Sequence, residues 1–381
     1  MSGTVLIVVT HLLGSGHLVR AAHLARALAR GGFAVTLASG GMPLRPMEGE
    51  PFTFVQLPPV RTEGVDFRTL LDERGRVVEP ERMATRLAAL EELTTRLRPD
   101  VVVTEHFPFG RRQLADEFLA VIATAKAINP RVRILSSVRD VLVTPKPARI
   151  VEAQERIARL FDAVLVHGEE DFLPLDRSWP VDAMLAAKLS YTGYLADTPI
   201  MGAAQEAGEI LVSGGGSAAA LPLFELALGA ARHGAATWRW RLLVGRGVSE
   251  EAFQRLVAEA RDLAIVERVR SDFPALLAGC ALSISQAGYN TVLDLIAARR
   301  PAIVVPFDAG AETEQAIRAE ALERAGLALC LRLSGQPPMT AEALVRAIEA
   351  RIGRSVPRGS LRPDDGGRAV AAVKLLLAER R

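Results

Sequence analysis

The chain has 381 residues, of which 49% are hydrophobic and 24% charged, and 46 Lys and Arg against 44 Asp and Glu leave a formal net charge of +2. That length exceeds what one core usually supports, so about two domains are expected. Basic residues scattered among acids exclude a basic patch for nucleic acid, and the two cysteines, Cys280 and Cys330, make neither a disulfide framework nor a zinc site.

Thr4–Thr10 is an unbroken apolar run, followed by a glycine turn and a stretch with helical apolar spacing that Gly31-Gly32 stops. Phe33–Ala38 is the next strand, which gives a βαβ opening. The alternation predicts strands at Phe52–Leu57, Val101–Thr104, Val132–Ser136 and Ala163–His167, with helices near Pro80–Leu97, Arg112–Ile128 and Arg149–Phe161. A loose stretch from Tyr191 to Gly208 reads as a linker. The same grammar then restarts: strand Glu209–Val212, turn Ser213–Ser217, helix Leu221–His233, strand Trp240–Val244, helix Ser249–Ala260 and strand Ala264–Val266. Beyond it come a strand from Ser283, a small-residue turn at Gln286-Ala287-Gly288, a helix opening near Asn290-Thr291, a strand at Ala302–Phe307 and a polar turn into another helix. Pro357–Gly367 is a loop of breakers and charges, and Arg368–Glu379 resumes an apolar helix.

The sequence enters its first strand without a basic leader, and no apolar run reaches the roughly 18 residues a membrane span needs. The expectation is a cytoplasmic protein, with peripheral contact at the inner membrane face left open by Met42–Pro46 and Pro51–Val60.

Four places carry candidate chemistry. Gly14-Ser15-Gly16-His17 sits where a parallel sheet binds ligands, and a neutral His17 there could take a proton from a hydroxyl. It could also merely cap its helix. Ser213-Gly214-Gly215-Gly216-Ser217 can offer backbone N–H groups and hydroxyls to phosphate, but lacks the lysine of a Walker loop. Gln286-Ala287-Gly288 with Asn290 and Thr291 repeats that opportunity at a helix start. Asp294 could accept from ribose hydroxyls or pair with Arg299 or Arg300, while Glu314 and Gln315 could bind sugar hydroxyls or serve a helix start. Glu105 and Asp140, with Arg139, follow apolar strands on the same edge as His17, where they orient His17, bind the acceptor or form structural salt bridges. No acidic pair follows an apolar strand, so no metal site is expected.

The chain resembles GT-B-fold glycosyltransferases, in particular the family of the N-acetylglucosaminyltransferase that makes the peptidoglycan lipid intermediate. GSGHLVRAAHLARAL, SGGGS and SQAGYNTVLDLIAARRPAIVVPF with EQAIRA behind it carry the likeness. It also looks like a bacterial group of predicted glycosyltransferases without an assigned substrate. The resemblance implies an α/β GT-B fold: two Rossmann-like domains with mainly parallel sheets facing each other across a cleft. They would be an acceptor-side domain over 1–195 and a nucleotide-sugar domain over 208–356; the apolar helix at 366–381, separated from the second core, could pack back on the first. It implies that Gly214–Ser217 and Gln286–Gly288 contact a diphosphate, Asp294 the ribose, Val269-Arg270 the uracil, and Glu314-Gln315 the donor sugar, with His17 as base. The family usually has Glu at the Asp294 position and Gln-Gln at 314–315, so the donor sugar is left unassigned.

The implied activity is inverting, metal-independent transfer of a hexose from a UDP-sugar, with no separate cofactor, to an acceptor that is either lipid-linked or small. The form Gly14-Ser15-Gly16-His17-Leu18-Val19-Arg20 is also similar to the nucleotide-sugar hydrolase of pseudaminic acid synthesis, which makes hydrolysis the second reading and a non-catalytic sugar-nucleotide module the third.

Overall fold

The computed structural model describes residues 3–43, 49–63, 66–196, 208–216, 218–235, 237–307, 313–335, 338–357, 361 and 363–379. The chain divides into two compact units, Met1–Asp197 with Asp364–Arg381, and Thr198–Pro363.

In the first unit, β1 (Thr4–Val9) leads through α1 (Gly16–Arg30) to β2 (Ala34–Ser39) and β3 (Thr53–Gln56). A hairpin of β4 (Arg61–Glu63) and β5 (Asp66–Leu71) precedes α2 (Pro80–Leu97), β6 (Val101–Glu105), α3 (Ala115–Ile128), β7 (Arg133–Arg139), α4 (Pro147–Leu160) and β8 (Ala163–His167). A short α5 (Ala183–Ala186) precedes β9 (Leu189–Tyr191) and β10 (Tyr194–Leu195). The sheet order is β3-β2-β1-β6-β7-β8-β9, parallel throughout. β1 is apolar along its length because both its faces are covered. Val5, Ile7 and Val9 pack with Leu18, Leu24 and Leu28 of α1, whereas Leu6 and Val8 face Leu90 of α2 and Phe118 of α3.

The second unit runs β11 (Glu209–Ser213), α6 (Leu221–His233), β12 (Arg239–Val244), α7 (Glu250–Ala260), β13 (Ala264–Arg268), α8 (Phe273–Gly279), β14 (Leu282–Ser285), α9 (Tyr289–Ala298), β15 (Ala302–Val304), α10 (Glu314–Arg324), β16 (Leu329–Cys330) and α11 (Ala341–Arg351). Its parallel sheet has the order β13-β12-β11-β14-β15-β16. Phe224, Leu242, Ile284 and Leu344 lie in its core.

The chain closes with β17 (Pro363–Asp364), hydrogen-bonded to β10, and α12 (Gly367–Ala378), whose Ala369 and Val373 join the α1 side of the first core. A Cβ on Gly31 would lie 2.6 Å from Val370 Cγ1, so the glycine that stops α1 also admits α12. Arg133 Nε donates to the Leu376 carbonyl at 2.8 Å.

Two expectations shift at this level. The stretch from Tyr191 read as linker is core at its start: Thr192 and Tyr194 are fully buried and hydrogen-bonded into the first unit, and only residues 197–207 of it lie outside the described residues. The strand expected at Ala302–Phe307 spans only Ala302–Val304. In the stretch after Tyr191, composition sees threonine and glycine but not the polar partners that satisfy the buried groups.

Candidate active site

Both sheets reverse their strand order beside the first strand of the unit, between β1 and β6 and between β11 and β14. There the connections diverge to opposite faces and leave a crevice at the carboxyl ends, the usual ligand position in such sheets. The sequence motifs fall at these two points: Gly14–His17 follows β1, Glu105 ends β6, Ser213 ends β11 with Gly214–Gly216 after it, and Gln286–Gly288 follows β14.

In the first unit the turn requires Gly14, whose φ is +66°, and a Cβ there would meet nothing within 4 Å. His17 then stands in the first turn of α1, a helix start with neither a side-chain cap nor an acid. Its Nδ1 lies 3.0 Å from Glu105 Oε1 and 3.1 Å from Arg20 Nη2. Arg20, one turn further along α1, forms a buried ion pair with the same Oε1. The other carboxylate oxygen accepts from Ser137 Oγ at 2.5 Å. Ser137 Oγ is also 2.9 Å from His167 Nε2, and His167 Nδ1 is 2.7 Å from Thr192 Oγ1, so polar contacts run inward from His17 across β6, β7 and β8.

Burial is the largest influence on His17 and, with the charges of Arg111, Arg20 and Arg139, holds it well below its usual 6.5. Glu105 alone would raise that basicity, but Arg20 neutralises it. His17 is therefore a neutral imidazole at pH 7. Placing its proton on Nδ1, facing the carboxylate, avoids setting a lone pair against a full negative charge and leaves Nε2 as a base. His106, whose ring centroid is 5.2 Å from that of His17, is likewise held well down by burial, and His11 is lowered to about 4 chiefly by burial.

Asp140 serves elsewhere. It is fully buried, with Oδ1 accepting from Val141 N at 2.8 Å and Oδ2 from Tyr194 Oη at 2.9 Å. The buried ion pair of Glu105 is with Arg20, a partner the sequence reading did not name although it lies in the GSGHLVR stretch. His167, the last residue of β8, is part of the network behind Glu105 and is lowered to about 3, chiefly by burial.

In the second unit the glycines divide by purpose. A Cβ on Gly214 would fall 2.0 Å from Ala220 Cβ, so that residue is glycine for packing. Gly215 has φ +69° and is glycine for conformation. Gly216 and Gly288 answer neither need: neither has positive φ, and among the described residues a Cβ on Gly216 would meet nothing within 4 Å and one on Gly288 only Thr291 Oγ1 at 3.9 Å. Space that the described residues leave unfilled beside a helix start suits a bulky anion. Gly288 is the N-cap of α9, which has no side-chain cap and no acid in its first turn, and Tyr289 is its first residue, one before Asn290. The hydroxyls of Ser213 and Ser285, cross-strand neighbours at the ends of β11 and β14, are buried without hydrogen-bond partners among the described residues. Ser217 lies outside the described residues.

Asp294 is partly buried on α9, and burial alone pushes its carboxyl up to about 7. It makes no hydrogen bond or ion pair among the described residues, so the alternative of pairing with Arg299 or Arg300 does not hold: Arg299 Nη2 reaches the Leu361 carbonyl at 3.2 Å and Arg300 Nε that of Ala278 at 2.6 Å. Gln315 has a structural duty that its place in the motif did not reveal. Its Oε1 accepts from Ala287 N at 3.2 Å and Phe307 N at 3.0 Å, tying the turn after β14 to that after β15. Gln286 Nε2 donates to the Ala219 carbonyl at 3.1 Å. Glu314 is buried with Arg318 Nη2 at 3.4 Å. Val269 is exposed, whereas Arg270 is clamped by Asp272 at 2.7 and 2.8 Å. Among the described residues no cluster of three or more His, Cys, Asp or Glu is placed to hold a metal ion, and no helix is long and apolar enough to cross a membrane.

Two Rossmann-like units of this kind make up a GT-B fold. The likeness extends over the whole chain for a crystal structure of CalG4, the calicheamicin glycosyltransferase, with a TM-score of 0.64, 16% identity and coverage of 99% of this chain and 98% of that one. Acinetobacter baumannii MurG matches with a TM-score of 0.63 and 18% identity over 98% and 99% of the two chains. Residues 209–353 match the family described as glycosyltransferase family 28 C-terminal domain. The chain resembles the UDP-N-acetylglucosamine–N-acetylmuramyl-(pentapeptide) pyrophosphoryl-undecaprenol N-acetylglucosamine transferases. That of Rhodopseudomonas palustris strain BisB18 is 33% identical over 187 residues, 46% of this chain and 50% of that protein. That of Rhodospirillum centenum is 38% identical over 86 residues, covering 23% of this chain and 22% of the relative.

Proposed function

We propose that this protein is an inverting, metal-independent glycosyltransferase that moves a hexose from a UDP-sugar to an acceptor hydroxyl. The observation that carries the reading is the His17–Glu105 pair at the first unit's strand reversal, with a neutral imidazole and Nε2 left for a substrate. Nε2 takes the acceptor proton as the oxygen attacks the anomeric carbon opposite the diphosphate, and Glu105 steadies the imidazolium that forms. The second unit binds the nucleotide. Its glycine turns, the Ser213 and Ser285 hydroxyls and the start of α9 meet the charge growing on the departing diphosphate, and Asp294 accepts from ribose hydroxyls. Val269-Arg270 lies beside the uracil and Glu314-Gln315 beside the donor sugar. The acceptor is lipid-linked, as in the activity named for the Rhodospirillum centenum relative, or a small molecule, and the protein works in the cytoplasm, peripherally at the membrane in the first case.

Hydrolysis of the nucleotide sugar is the second reading, favoured by the Gly14-x-Gly16-His17-x-x-Arg20 form, since the same base could activate water. Incubating the protein with several UDP-sugars, with and without bacterial lipid extract, separates the readings. Transfer predicts UDP release that depends on the extract and survives excess EDTA. Equal release of UDP and free sugar without acceptor establishes hydrolysis, and loss of turnover in EDTA removes the metal-free step.

A further inference from the structure

Among the described residues every fully buried arginine has a carboxylate opposite it: Arg20 has Glu105, Arg86 has Glu117 and Arg318 has Glu314. Arg111 is different. It follows β6 by six residues, is partly buried, and makes no side-chain hydrogen bond or ion pair among the described residues. The loop that carries it belongs to the base's surroundings: Glu105 begins it, His106 sits 5.2 Å from His17, and a Cβ on Gly110 would strike the His106 ring at 2.4 Å. His106 and Arg111 both adopt left-handed backbone, with φ of +66° and +61°, an arrangement that costs free energy at each non-glycine position. Burial pulls Arg111 down to about 10, and its charge in turn depresses His17. A partly buried guanidinium whose Nε is buried without a hydrogen-bond partner among the described residues, and which shares the charge of Glu105 with Arg20, is unfavourable unless a ligand completes it.

We propose that Arg111 binds an anionic group, a phosphate or carboxylate, that the acceptor carries close to the hydroxyl deprotonated by His17. This rests on the transferase reading, in which the donor diphosphate has its own cradle of neutral dipoles in the second unit. A planar guanidinium suits either anion through paired N–H bonds. An anion there also offsets the arginine charges bearing on His17, so a bound acceptor makes the base stronger.

Thermal unfolding of the full chain tests this at saturating UDP and constant ionic strength, titrating methyl phosphate or acetate against a chloride control. The expected result is a saturable rise in Tm with one of the two anions, which identifies the group. Arg111→Gln should weaken that response about tenfold or more, the usual weight of a hydrogen bond to a charged group, and Arg111→Lys less. Both variants should keep the wild-type response to UDP. No saturable response to either anion in the wild type overturns the proposal, and so does a response that Arg111→Gln leaves unchanged. Loss of the UDP response with Arg111 replaced assigns the residue to the donor instead. Absence of a UDP response in the wild type would defeat the transferase reading, a separate failure.

Discussion

The two strand reversals have the same topology and opposite chemistry. The one in the first unit gathers ionisable side chains, with His17, Glu105 and Arg20 in contact and Ser137, His167 and Thr192 behind them. The one in the second unit is made of glycine turns, two unpartnered serine hydroxyls and an uncapped helix start, with Asp294 its lone acid without an ion-pair partner among the described residues. Proton transfer needs a group whose charge can change and neighbours that set when it does. Holding a polyanion needs many fixed dipoles and room for bulk, which short side chains and bare backbone supply. One topology therefore serves either task, and the residues after the strands choose between them.

The largest expected effect breaks the first site and spares the second. His17→Ala should lower transfer about 10²- to 10⁴-fold, as loss of a general base does, while the UDP-induced rise in Tm persists. Activity close to wild type would leave His17 as a helix-start residue only.

Gly288→Asp reverses that pattern. The backbone at 288, with φ −65° and ψ 151°, suits an aspartate cap, and a Cβ there has room. The variant should gain about 0.5–1 kcal/mol of stability without ligand, yet bind UDP at least about tenfold more weakly, because its carboxylate occupies and charges the anion position. Gly214→Ala marks the contrast, since its methyl collides with Ala220 and should cost about 1–3 kcal/mol. Unaltered UDP affinity in Gly288→Asp, measured by calorimetry, would remove the start of α9 from the site.

The smallest effect concerns Asp294. Its carboxyl sits at about 7 in the folded protein against an ordinary 3.8, so the folded state holds the extra proton and stability is lost as pH rises from about 4 to 7. Asp294→Asn should raise Tm at pH 8 and change it little at pH 4, while the UDP-induced shift at pH 8 shrinks. A UDP shift that stays the same would separate Asp294 from the ribose.

Local order was legible in the sequence. Apolar runs of parallel strands, helical periodicity and glycine punctuation depend on neighbours within a few residues, so Thr4–Val9, the turn at Gly14 and the α1 stop at Gly31-Gly32 stand close to where the pattern puts them. The motifs also placed His17 and Gly288 at strand ends, because a glycine turn between strand and helix defines that edge.

What the sequence could not decide is which side chains share the edge. Glu105 rather than Asp140 meets His17 because β6 is the neighbour of β1, while Asp140 beyond β7 is held by Tyr194. Arg20 reaches Glu105 across 85 positions of sequence, and Gln315 reaches Ala287 across 28. Likewise only packing shows that Gly214 is glycine for Ala220 and that Gly216 and Gly288 are glycine for no close neighbour among the described residues. The sequence by itself determined the strands, the turns and the kinds of residue carried to each edge, since those follow from short-range periodicity and backbone freedom. The pairing of those residues, their burial and hence their charge state were decided by strand order, which only the folded chain possesses.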